Sequence, residues 1–491
     1  MVIVIILAYF SLLLGISHLT VSRDDNSAFF KAGRQSPWYM VAFGMVGASI
    51  SGVTFVSVPG MVLHSGMTYL QTCMGFILGY FAVAFVLLPI YYRLQLTSIY
   101  SVLKGISNEA YKTGAMFFII SKLMGSAAKF FVPCFIISGA LGVNFYLTTV
   151  VLLALIWLYT RRGGIRTLVW TDTLQTVCML VALLLIIYNV YGKLYDYQFS
   201  IDNLKECLAA VTASDYSKVF EFDDWHSPNN FFKCFISGIF IVIVMTGLDQ
   251  DMMQKNLTCK NLRDAQKDMC TYGFAFLPVN ALFMILGVML TMLYAKEGVA
   301  LPEKPDELLS QFIFSPPFSE GAGVGSGLLA IFTLGIIATS FSTIDSALTA
   351  LTTSFCVDIL GEERGIAIRK RVHVGMTIAL ILCTMAFGMV NTTSLIDAIY
   401  TLVSYTYGPL LGLFAYTLTK QPTPAPSMVS LICIASPLIC FALDMVVPRL
   451  TGYHFGYELL LINGLITYLL LMVMSITPLT SITPLTPKKK Q

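Results

Sequence analysis

Charge is what this sequence lacks. Asp, Glu, Lys and Arg make up 12% of its 491 residues, against 56% hydrophobic residues. A soluble domain carries about 25% charged residues. Half that supply cannot cover a water-soluble protein of this length, which excludes a soluble enzyme and a soluble nucleic-acid binder. The formal net charge of +3 leaves no basic stripe for phosphates. Histidine is scarce too, with five residues and no zinc-ligand spacing. The eleven cysteines lie mostly inside apolar runs, form no CxxC pair, and read as small buried hydrophobes. Cys207 alone stands in a polar loop and is the one candidate reactive thiol. The glycine-rich stretch 321–327 has no Lys-Ser/Thr after it and reads as a helix entry rather than a phosphate loop.

Long apolar runs are what is present. A membrane-spanning helix needs about 20 apolar residues. The run from Val2 to Val21 has no basic residues before it and no small-residue cleavage site. It reads as a retained helix with its N-terminus outside. Twelve further apolar segments follow, near residues 38–61, 67–92, 113–141, 145–160, 167–192, 231–253, 269–295, 323–357, 373–391, 394–418, 428–447 and 457–476. The fold class is therefore all-α and polytopic, with about thirteen spans.

The positive-inside rule tests that count. Counting from an outside N-terminus, the inside segments hold Arg93, Lys104 and Lys112, then Arg161, Arg162 and Arg166. Next come Lys255, Lys260, Arg263 and Lys267, then Arg364, Arg369, Lys370 and Arg371, and last Lys420 and Lys488 to Lys490. The long loops at 193–230 and 296–322 fall outside, and both are acidic. One missed helix would invert every later loop, so the chain reads as N-terminus out and C-terminus in, in a plasma or bacterial inner membrane. The basic tail reads as a cytoplasmic anchor.

Ionisable residues within a span are costly and tend to line a pathway. Lys129, Asp172, Asp249 and Asp345 are the four in question. Each has a plainer reading as one half of an ion pair: Asp172 with the cations at 161–166, Lys129 with an intramembrane aspartate. Asp249 has instead a place at the cytoplasmic interface near Lys255, and Asp358 closes its helix as a cap. Two segments are rich in hydroxyls and glycine. Residues 44–54 read Gly-Met-Val-Gly-Ala-Ser-Ile-Ser-Gly-Val-Thr, and residues 339–346 read Thr-Ser-Phe-Ser-Thr-Ile-Asp-Ser. The first composition permits unwinding at mid-membrane, which exposes carbonyls to a cation. In the second, Ser342, Asp345 and Ser346 share a helix face and offer the hard oxygen ligands a hard cation prefers. Packing between helices is the alternative use of such residues.

These residues resemble a known family. Phe30-Lys-Ala-Gly-Arg34 before Pro37-Trp38, then Ser49-Ile-Ser-Gly-Val-Thr-Phe55 and Pro59-Gly60, resemble the opening of the sodium:solute symporters. The stretch from Gly163 to Gln175 is similar to that family's sixth helix, Asp249 to Gln254 with Ala265-Gln266 to its seventh, and Ser342 to Ser346 ending at Val357-Asp358-Ile359 to its ninth. The matches occur in order over roughly residues 28–415. The resemblance implies a LeuT-like fold of five-plus-five inverted repeats. The expected organisation is an extra helix and loop at 1–37, a first repeat at 38–192, an extracellular loop at 193–230, a second repeat at 231–418, and two helices with a basic tail at 419–491.

The resemblance also implies the sites. Carried over, sodium is held by the carbonyls of Gly47, Ile50 and Thr339 and the hydroxyls of Ser342 and Thr343. Some members bind a second sodium, at positions that here are Asp172, Ser342, Asp345 and Ser346. Asp345 departs from the hydroxyl residue often found there, and either strengthens that site or takes a proton. The solute site falls by position on Ser49, Thr54, Cys73, Lys129, Met245, Thr246 and Tyr400. Sugar-transporting members place amide and carboxyl side chains at Thr54 and Cys73, so a hexose fits poorly. A sialic-acid-transporting member has an arginine resembling Lys129. The expectation is a non-enzymatic, monomeric sodium-coupled importer of a small carboxylate such as sialic acid or a monocarboxylate. Its partners are sodium, solute and lipid, with no nucleic acid and no cofactor beyond the coupling Na+. Kept beside it are uptake of a neutral sugar, vitamin or halide, a proton-coupled or sodium-independent exchanger, and a sensor or channel.

Overall fold

The computed structural model describes residues 2–20, 26–314, 324–361, 365–389, 395–419 and 426–476. Among these residues the structure is helical, and the β-type pairing is one isolated bridge between Ser36 and Cys259. A chain that crosses hydrocarbon must satisfy its backbone internally, which helices do. Each of the thirteen expected segments is occupied by helix, from Val2–Thr20 to Leu459–Ile476. Among the described residues, seven helices are long and apolar enough to cross a membrane, or nine if each of two bent pairs is one span. Three more are apolar but shorter, and Ile366–Phe387 carries Arg369, Lys370 and Arg371 in its first turns. The glycine-rich stretch lies partly, and the basic C-terminal tail wholly, outside the described residues.

The two bent pairs set the architecture. Trp38–Ser49 and Gly52–Ser65 meet at 62°, and Phe231–Gly247 and Gln250–Asn256 meet at 70°. Around them stand the long helices Asn108–Leu141, Ile165–Leu194, Leu262–Glu297 and Val324–Ser354. The last is central: 72% of the apolar window in Gly327–Leu360 is buried, against 28% for the peripheral Met428–Thr451. Helix ends are capped by side chains where the sequence offers them. Ser107 accepts from the Ala110 N–H, and Asn261 from the Asp264 N–H. Gly142 and Gly298 close the same two helices in the left-handed conformation.

Glycine sets the closest packing. The helices Tyr69–Ala82 and Phe231–Val242 touch backbone to backbone: a Cβ on Gly75 would meet the Phe235 carbonyl, and one on Gly238 the Thr72 carbonyl. Such small-residue contacts replace the hydrophobic drive that lipid removes.

The loop at 193–230 corrects one expectation. Residues Ile201–Ala213 form an amphipathic helix that buries Cys207 and Val211. Cys207 is 3% exposed, and burial pushes its thiol up from the ordinary range. It is a packed hydrophobe rather than a reactive thiol, because the loop's polar residues fall on the opposite helix face. Lys255 is corrected as well, since it is buried rather than a loop cation.

Two outcomes are expected. Gly75→Val overpacks a backbone contact and costs at least about 1–3 kcal/mol, read as a lower midpoint in a thermal size-exclusion assay; Gly15→Val, with open space around it, leaves the midpoint unchanged. An impermeant maleimide at neutral pH leaves Cys207 unlabelled in folded protein and labels it after denaturation.

Candidate functional site

The first break follows from the run of small residues. The helix ends at Ser49, Ile50 turns to extended backbone, and Ser51 starts the next helix as its cap. Ser51 and Thr54 form a reciprocal capping box, so the exposed N–H groups of the new helix are met locally. The carbonyl side of the break is met from the facing helix, where Thr343 Oγ1 lies 3.3 Å from the Ala48 carbonyl and 3.0 Å from that of Thr339.

The second break is built differently. A wide π-type turn over Ile243–Gly247 ends the first half, and Asp249 caps the second half through the Asp251 N–H at 2.8 Å. Tyrosines satisfy the freed carbonyls: Tyr91 donates to Gly247 at 2.8 Å and Tyr100 to Leu248 at 2.9 Å. The Asp249 carboxylate also receives Tyr407 at 2.9 Å and Lys122 at 3.0 Å. Lys122 reaches Asp251 at 2.7 Å as well. One ammonium thus bridges two carboxylates at the broken point.

A cavity of about 840 Å³ of unfilled space, part of it open to solvent, lies between the two breaks. Of the expected solute residues, Ser49, Thr54, Lys129, Met245 and Thr246 line it. Ser49 hydrogen-bonds Tyr272 across it. Cys73 is buried but does not line the wall. The Tyr400 side chain lies outside the described residues, although its neighbour Ile399 lines the cavity.

Reasoning from sequence missed much of the wall. Tyr69, Phe76, Tyr80, Tyr272 and Phe276 form an aromatic side, and Lys122, Asp249 and Asp251 a charged one. The signal for Lys122 was present, because it stands seven residues before Lys129 and so on the same helix face. Lys122 rather than Lys129 makes the intramembrane ion pair. Among the described residues, no carboxylate lies within 4.0 Å of Lys129 Nζ. The aromatics gave no signal beyond a hydrophobic span.

The hydroxyl face of the central helix splits into two groups. Thr343 turns to the first break and lines the cavity. Ser342 turns away and donates to Asp172 Oδ1 at 2.8 Å. Asp172 pairs through Oδ2 with Lys255 at 2.8 Å, in place of the expected alternative partners at 161–166. Asp345 accepts from Tyr159 at 2.6 Å and from Ser346 at 3.3 Å. Gly47 and Ile50 fall at the end of the first half-helix, and Gly47 packs on the side chain of Thr176. Asp358 lies inside the last turn, whose C-cap is Gly361, rather than capping it: Ser98, Tyr111 and Ser354 all donate to its carboxylate, joining three segments.

With this geometry the comparisons with known proteins become interpretable. The family model "sodium:solute symporter family" matches residues 29–418. The chain belongs to the sodium:solute symporter family. The sodium/sialic acid symporter NanT of Aliivibrio fischeri is 24% identical over 416 residues, covering 80% of this chain and 77% of that protein. The sodium-dependent multivitamin transporter of Oryctolagus cuniculus is 23% identical, covering 83% of this chain and 64% of that one. The sodium/iodide cotransporter of Homo sapiens is 22% identical, covering 79% and 60%. The chain thus spans less than two thirds of the last two. In structure, a Na+-coupled sialic acid symporter in a substrate-bound, outward-open state superposes with a TM-score of 0.79 at 17% identity, covering 96% of this chain and 97% of that one. The fold is the LeuT-like one that the sequence led us to expect.

The Lys122 cluster gives a direct test. Removing one partner of a buried ion pair costs about 3–5 kcal/mol. Lys122→Met leaves Asp249 and Asp251 facing each other, and loss of monodisperse protein on size exclusion is expected. Adding Asp249→Asn and Asp251→Asn to it restores folding.

Proposed function

We propose that the chain is a sodium-coupled importer of a small organic carboxylate, working by alternating access. The observation that carries the reading is Lys129. It points an ammonium into a cavity between two helix breaks, while its neighbour Lys122 already has two carboxylates. An ammonium is a compact point charge with three donors, suited to a carboxylate. The relatives named for sialic acid and for iodide carry anions, as do those named for monocarboxylates. The aromatic side supplies an apolar face for the rest of the solute.

Sodium is co-transported cargo. Its site is assigned to the carbonyls of Gly47, Ile50 and Thr339 and the hydroxyls of Ser342 and Thr343. The contact of Thr343 with Ala48 supports this, because it brings the central helix onto the first break. Sodium there pulls the broken helix against the central helix and so stabilises the state that receives solute. An elementary charge crossing inward gains about 2.3 kcal/mol per 100 mV. Release follows when the halves rock apart and the Thr343 contact opens.

The same reading covers topology: thirteen crossings, N-terminus outside, C-terminus cytoplasmic, and inverted repeats at 38–192 and 231–418. Each proposed repeat opens on a broken helix, as a pseudo-symmetric pair requires. The working unit is a monomer in the cell membrane, with transport and no catalysis as its role.

The test is uptake into proteoliposomes under an inward sodium gradient, with labelled sialic acid, short monocarboxylates and neutral hexoses. Carboxylate uptake that needs sodium is expected. Lys129→Gln lowers it by about tenfold or more, the scale of one charge-assisted hydrogen bond. Hexose uptake with Lys129→Gln unaffected would overturn the anion assignment. Ser342→Ala and Thr343→Ala each raise the sodium concentration for half-maximal uptake; unchanged sodium dependence in both would remove the assigned sodium site.

A further inference from the structure

A buried lysine stands where the family resemblance expects a second sodium. Lys255 is 2% exposed and its Nζ lies 2.8 Å from Asp172 Oδ2, itself 1% exposed. Both oxygens of that carboxylate are engaged, since Oδ1 accepts from Ser342 at 2.8 Å. Gln175, with its amide turned to suit its neighbours, also donates to Oδ1 at 3.1 Å. A sodium ion on Asp172 would have to displace an ammonium that is covalently tied to the second half of the second broken helix.

Charge counting points the same way. Asp172, Asp345 and Lys255 are all buried, and Asp345 lies within electrostatic reach of the other two. With both carboxylates ionised, two carboxylates and one ammonium sum to one negative charge. Asp251, which also acts on Lys255, is itself paired with Lys122 at 2.7 Å. One sodium beside Ser342 and Thr343 brings the cluster to neutrality. A second would leave an unpaired positive charge in the membrane interior, which is costly.

We propose that the Lys255 ammonium is the resident cation of the second site, so that this chain binds and moves a single sodium ion per cycle. Lys255 does this through Asp172, the carboxylate that also accepts the Ser342 hydroxyl at 2.8 Å. The proposal rests on the sodium-coupled reading above and adds the stoichiometry to it.

The test is equilibrium binding of radioactive ²²Na+ to the purified full chain in detergent, without solute. Wild type and Lys255→Arg bind about one sodium per chain with a Hill coefficient near 1, whereas Lys255→Gln binds about two with a Hill coefficient above 1. Lys255→Gln with Asp172→Asn returns to about one. Two sodium ions on wild type would overturn this inference and leave the sodium-coupled reading intact. One sodium on a folded Lys255→Gln would also overturn it. No sodium on wild type would overturn both. If Lys255→Gln does not fold, the wild-type count decides.

Discussion

Everything in this molecule depends on how two interrupted helices are tolerated inside a helix bundle. An unpaired backbone group in hydrocarbon costs several kcal/mol. The first break is met by hydroxyls, through Ser51 and Thr54 on one side and Thr343 on the other. The second is met by an aspartate cap and by two tyrosines from neighbouring segments. These devices bring polar side chains to mid-membrane, and the cavity lies where they converge. The site is therefore a consequence of breaking the helices rather than an addition to a finished bundle.

Ionic links then join the broken halves to the rest. Lys122 ties Asp249 and Asp251 to the helix Asn108–Leu141, and Lys255 ties the same second half-helix to Asp172 on Ile165–Leu194. Asp172 in turn holds Ser342 of the central helix. A continuous chain of contacts therefore runs from the hydroxyl face of the central helix, through the seven residues Gln250–Asn256, to the cavity. A rigid short helix with an ion pair at each end transmits a shift from one end to the other. Under the proposed sodium assignment, that is a physical route by which occupancy at Ser342 and Thr343 biases the wall carrying Lys122.

The sequence made some of this legible and hid the rest for definite reasons. Helix positions follow from long apolar runs and end where caps and glycines stand, as at Ser107 and Gly142. The first break was readable because serines and glycines cluster within eleven residues. The second was not, since Ile-Val-Met-Thr-Gly reads as ordinary span and its widened turn comes from tertiary packing. Single charges such as Lys129 and Asp172 announced themselves, but their partners did not. Lys255 read as a loop cation because cations gather there, and only the fold shows it folded inward. Cys207 was misjudged because loop polarity is a property of one face when the loop contains a helix.

The contrast between the two partly buried lysines of the long helix shows which of them faces open space. Lys122 and Lys129 stand two turns apart on one face, so both meet the same cavity. Lys122 is flanked by both carboxylates and by the tyrosine on Asp249, and its charge is consumed there. Lys129 faces the remaining space with its charge uncommitted. An ammonium in a low-dielectric wall gains most from a partner that arrives with opposite charge and can also leave. A resident carboxylate beside Lys129 would close the site to solute. Placing the paired carboxylates two turns away leaves Lys129, among the described residues, with no carboxylate within 4.0 Å.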